Sequence, residues 1–76
     1  MSHVRHKHLK EMRLFGRNLR ALRLEKGITQ DELAGKTGIS TNSLSRIENG
    51  TLNTTLATIC ELAKVLKVKP HDLVNF

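Results

Sequence analysis

Residues Ile28 to Gly50 read ITQDELAGKTGISTNSLSRIENG and carry two helix signals with hardly any chain between them. Thr29, followed three residues later by Glu32, forms the pattern of a capping box. Gln30, Leu33, Ala34 and Thr37 then recur at i, i+3, i+4 and i+7, the period of one helix face. Gly38 stops that helix, and Ser40, two residues on, is a second N-cap. The next helix runs from Thr41 to about Asn49, burying Leu44 and Ile47, with Gly50 at its end. Two short helices joined by so brief a turn cannot lie antiparallel, so a corner of about 90–120° is predicted. Gly35 weakens the first of the pair by about 1 kcal/mol relative to Ala.

The outward side of the second helix is unusual. Thr41, Asn42, Ser45, Arg46 and Asn49 occupy it, where an ordinary solvated face carries Glu, Lys and Gln. Most of these are mediocre helix formers but good hydrogen-bonding groups. Taken alone, such a face is either solvated or built to touch a ligand.

Working outward, Met12, Phe15, Leu19 and Leu22 mark the apolar stripe of a helix over Leu9–Lys26, with Lys10, Arg13, Arg17 and Arg20 on another face. Gly27 is its C-terminal stop. After the loop Thr51-Leu52-Asn53, a fourth helix is predicted from about Thr54 to Lys67. Its stripe is Leu56, Ile59, Leu62, Ala63 and Leu66, with Cys60 a small filler at the margin. Pro70 suits the first position of a final turn, Asp72 its N-terminal dipole, and Leu73 points inward. The expected fold class is all-α with five helices in one domain over residues 9–76, preceded by a mobile basic arm over residues 1–8.

Seventy-six residues suffice for one small core, which aliphatics must build because two Phe are the sole aromatics. The net charge of +6 points to an anionic partner. Its placement is uneven: Arg5, Lys7, Lys10, Arg13, Arg17, Arg20, Arg23 and Lys26 face only Glu11 and Glu25 in the first 26 residues, and the remainder is balanced. The lone Cys60 makes no internal disulfide, and no apolar run approaches the roughly 20 residues of a membrane span, which fits a cytoplasmic protein. His3, His6 and His8 suggest a metal site, but no Cys-x-x-Cys or second His/Cys pair accompanies them. A basic arm is the preferred reading, with no metal and no cofactor.

Gln30, Ala34, Gly38, Ile39, Leu44 and Ile47, at spacings of four, four, one, five and three, resemble the helix-turn-helix of the phage Cro and repressor family. The flanking FGRNLRALRLEKGITQ and LATICELAKVLKVKPHDLV are similar to that family's first helix and last two helices, so the resemblance extends from about Phe15 to Leu73. Gly35 departs from the long helix-favouring residue more usual at its position. The resemblance implies a compact five-helix Cro/repressor-like (lambda-repressor-like) fold, with the helix-turn-helix at about 29–49 and its second helix entering the major groove.

Residue by residue, the resemblance makes Thr41, Asn42 and Arg46 base-contacting, with Ser45 a fourth candidate. Arg46 suits guanine O6 and N7, and Asn42 suits adenine. Gln30 matches a phosphate-binding position at a helix N-terminus, with Ser43 and Asn49 weaker phosphate candidates. Arg23 and Glu48 match a pair that forms an internal salt bridge, which assigns both to structure. Arg17, Arg20 and Lys36 are candidates for electrostatic attraction to DNA.

One recognition helix spans few base pairs, so a homodimer on a palindromic operator is expected. Val74 and Phe76 are candidates for its interface or, equally, for the protomer's own core. The implied function is a sequence-specific transcriptional regulator binding double-stranded DNA, similar to phage repressors and restriction-modification controller proteins, and naturally autoregulatory. The alternative is an antitoxin-type module that neutralises a protein partner. An enzyme is not expected, because no nucleophile with a base, carboxylate pair or phosphate-cradling loop can be assembled.

Overall fold

The capping box at Thr29 is formed: its hydroxyl accepts from the Glu32 N–H at 3.1 Å, and the Glu32 carboxylate accepts from the Thr29 N–H at 3.0 Å. In the computed structural model, which describes residues 7–76, five helices follow one another: α1 (Leu9–Glu25), α2 (Gln30–Thr37), α3 (Thr41–Glu48), α4 (Leu56–Leu66) and α5 (Pro70–Leu73). No strand occurs among the described residues. The expected basic arm falls mostly outside them, and His8 already sits at the N-cap of α1.

The turn between α2 and α3 has the chemistry expected of it. Gly38 takes a left-handed φ of 78° and donates its N–H to Ala34 O at 2.9 Å, and the Ser40 hydroxyl accepts from the Ser43 N–H at 3.0 Å. Gly50, with φ 76°, closes α3, while Thr51 N–H returns to Arg46 O at 2.9 Å. That closure ends α3 at Glu48 and makes Asn49 its C-cap. The fourth helix begins two residues later than predicted, because the Thr55 hydroxyl caps it by accepting from the Thr58 N–H at 3.1 Å. It ends at Leu66, since Lys67 adopts a left-handed φ of 59°.

Phe15 and Leu19 from α1, Leu33 and Ala34 from α2, Leu44 and Ile47 from α3, Leu62, Ala63 and Leu66 from α4, and Leu73 from α5 form one core. Met12 and Leu22 are half-buried at its margin. Two expectations for α4 need correction. Leu56 is 73% exposed and Cys60 is exposed. The helix meets α2 and α5 through its later turns, so its first turn overhangs the core and Cys60 lies on the outer side.

Helix α3 lies against α1 almost backbone to backbone. A Cβ at Gly16 would stand 2.4 Å from the carbonyl oxygens of both Ile47 and Glu48, and one at Gly50 would stand 2.6 Å from Arg13 Cγ. Beside this contact the buried Arg23 donates Nε to Glu48 Oε2 at 2.6 Å, NH2 to Glu48 Oε1 at 3.1 Å, and NH1 to Ile28 O at 2.9 Å. The Asn18 amide donates to the carbonyls of Asp72 and Leu73, both at 2.9 Å, and so docks α5 onto α1.

Three outcomes follow from this packing. Gly16→Ala should destabilise by about 1–3 kcal/mol through backbone overpacking, whereas Gly35→Ala, with open space around its Cβ, should stabilise by about 0.5–1 kcal/mol; urea melts read both signs. Arg23→Ala should cost about 3–5 kcal/mol by stranding the Glu48 carboxylate, and Arg23→Met with Glu48→Leu should regain most of it in the same assay. The Glu32 carboxyl is held below its ordinary value, first by the Thr29 backbone N–H and then by its hydroxyl. Its contribution is therefore present above the ordinary carboxylate value and lost as pH falls through the lowered one. The melting-temperature gap between the native protein and Glu32→Ala should shrink over that acidic range.

Candidate nucleic-acid interface

Glu48 is the sole acidic residue of α3, and it is buried against Arg23. Outward, the helix presents Thr41, Asn42 and Arg46, with Asn49 just past its end; all four are exposed. Ser45 and Ser43 are half-buried at the edges of that face. Among the described residues no carboxylate lies within ion-pairing distance of Arg46, so its five N–H donors remain available. The result is a convex ridge of neutral hydrogen-bonding groups and one cation.

The polar groups around that ridge are partly engaged. Gln30 donates Nε2 to Glu48 Oε1 at 3.0 Å, which uses one of its two amide hydrogens and ties the start of α2 to the end of α3. The Ser43 hydroxyl pairs with that of Ser40 at 2.9 Å. The Thr41 hydroxyl donates to Asp31 Oδ1 at 2.9 Å. The N–H groups of Gln30 and Asp31 sit at the open end of α2, between the two residues of its capping box, where a helix N-terminus favours an anion. Arg17, Arg20 and Lys36 are all exposed.

The remaining sequence candidates fall elsewhere. Val74 and Phe76 are 48% and 53% exposed and border an apolar groove with Met12, Phe15, Leu52 and Ile59. His8 Nδ1 lies 3.5 Å from Glu11, while His3 and His6 lie outside the described residues. Among the described residues no group of three His, Cys, Asp or Glu is placed to hold a metal, and no helix is long and apolar enough to cross a membrane. Sequence reasoning missed Gly16, Asn18 and the link from Asp31 to Thr41. The last had no local signal, since its partners are ten residues apart and meet only when the corner between α2 and α3 forms.

Known proteins share the helical arrangement that carries these residues. The helix-turn-helix family profile HTH_3 matches residues 19–73. The chain is 44% identical over 63 residues to an uncharacterised HTH-type transcriptional regulator, y4dJ, of Sinorhizobium fredii, covering 83% of this chain and 82% of that protein. It is 39% identical over 64 residues to the control protein C.BamHI of Bacillus amyloliquefaciens, covering 83% and 79%. The crystal structure of the restriction-modification controller protein C.AhdI from Aeromonas hydrophila superposes with a TM-score of 0.84 at 35% identity, over 87% of this chain and 96% of that one. With its five-helix Cro/repressor-like fold, the chain belongs to the helix-turn-helix family of DNA-binding transcriptional regulators.

Proposed function

We propose that this protein is a sequence-specific regulator that binds a palindromic operator as a homodimer, with α3 in the major groove. The observation that carries the reading is the outward face of α3, from which the only carboxylate has been withdrawn into the core. Arg46 donates twice to guanine O6 and N7, Asn42 pairs with adenine, and Thr41 and Ser45 contact neighbouring bases. Gln30, through its second amide hydrogen and the N–H groups at the start of α2, meets a phosphate, with Ser43 and Asn49 beside the groove. Arg5 and Lys7, in the first eight residues, add basic charge to the domain at residues 9–76.

A single α3 spans only a few base pairs, so two copies must read half-sites about 34 Å apart. Val74 and Phe76 are the apolar groups assigned to the contact between copies. Occupancy then depends on protein concentration and cooperative binding, which suits control of the protein's own promoter in the cytoplasm. Similarity to a control protein and to a restriction-modification controller protein supports a regulatory role.

Selection from randomised duplexes at near-physiological salt tests the proposal. A palindromic site should emerge. Arg46→Ala should lose about 1–3 kcal/mol and relax one base position, while Arg17→Ala weakens every sequence alike or none. Val74→Asp with Phe76→Asp should shift sedimentation toward the monomer. If no site is enriched and both arginine changes merely lower a salt-sensitive background, α3 is not a reader and a protein-partner role takes its place.

A further inference from the structure

The hydrogen bond between Thr41 and Asp31 has a chemical consequence for what α3 can read. Asp31 stands in the first turn of α2 and Thr41 opens α3, and both are exposed. Among the described residues Asp31 makes no ion pair, and the Thr41 hydroxyl lies 2.9 Å from its Oδ1. A carboxylate has no proton to give, so the hydroxyl must be the donor. An unconstrained Thr hydroxyl reads either donors or acceptors on a base edge, because it rotates to suit. Here its proton is committed, and only its lone pairs and methyl group remain to face a ligand.

We infer that Asp31 is a positioning residue that turns Thr41 into a hydrogen-bond acceptor, so that the base opposite Thr41 is one bearing an exocyclic amine in the major groove, adenine or cytosine. The inference rests on the docking of α3 proposed above. It also explains an acidic side chain at a corner directed toward phosphates. The Asp31 charge opposes DNA of every sequence alike, and that uniform loss accompanies a gain in discrimination at one position. The two effects separate chemically, because Asn at position 31 keeps an accepting oxygen without the charge.

Selection from randomised duplexes, run on the native protein, Asp31→Ala, Asp31→Asn, Thr41→Val and Arg46→Ala, decides the matter. The base position whose preference disappears in Thr41→Val identifies the one that Thr41 contacts. The native protein should favour adenine or cytosine there by roughly three- to tenfold, the scale of one hydrogen bond. Asp31→Ala should flatten that preference while leaving the position relaxed by Arg46→Ala unchanged. Asp31→Asn should restore it and bind all duplexes more tightly, with the added affinity fading as salt rises. Unchanged far-UV circular dichroism and melting temperatures establish that each variant is folded. Retention of the preference in Asp31→Ala, or a native preference for guanine or thymine, overturns the inference while the docking stands. If the native protein enriches no sequence, the docking itself fails, and the inference with it.

Discussion

Glu48 ends the second helix of the helix-turn-helix, and its carboxylate is turned inward onto Arg23. A buried charge is tolerated only when paired and fully hydrogen-bonded. Arg23 supplies two donors to Glu48, and the Gln30 amide supplies a third. This one network joins three helices: α1 through Arg23, α2 through Gln30 and α3 through Glu48. The orientation of α3 on the domain is therefore fixed by directional bonds as well as by apolar packing, whose ridges and grooves leave the crossing angle a wide scatter. The same arrangement leaves Arg46 as the sole charge on the exposed ridge.

Gly16 makes this network possible. Only without a Cβ does α1 approach the carbonyls of Ile47 and Glu48 closely enough for Arg23, two turns further along, to reach the Glu48 carboxylate. Gly50 serves the same end twice: its left-handed backbone closes α3, and its missing side chain leaves room for Arg13. Short, marginal helices such as α2 and α3 gain their order from such tertiary contacts rather than from intrinsic propensity. Thr37 illustrates the local cost, since its hydroxyl turns back to Leu33 O at 2.8 Å to close a helix that Gly35 has weakened.

Much of the fold was legible because its signals are local. Capping at Thr29 and Ser40, glycine stops at Gly27, Gly38 and Gly50, and 3.6-residue stripes at Phe15, Leu19, Leu33, Leu44 and Leu62 need only neighbouring residues to act. The errors have a common origin at element ends and outer faces. Leu56 has the right spacing for the core stripe of α4 but lies a turn beyond the helices it would pack against. Cys60 is small and apolar, yet it sits on an exposed side of α4. Thr54 and Thr55 are equivalent caps by composition, and only the bond from Thr58 N–H distinguishes them.

For the site, the sequence by itself determined which chemical groups line α3, because a helix projects residues three and four apart to one side whatever surrounds it. It also determined that the positive excess lies in the first 26 residues. Only the tertiary structure decided what those groups are free to do. Gln30 spends one amide hydrogen on Glu48, and Thr41 commits its proton to Asp31. Both partners lie on another helix, and their meeting depends on the angle at which α2 and α3 cross. Hydrogen bonds are directional and short-ranged, so their pairing is a property of that crossing and not of spacing along the chain.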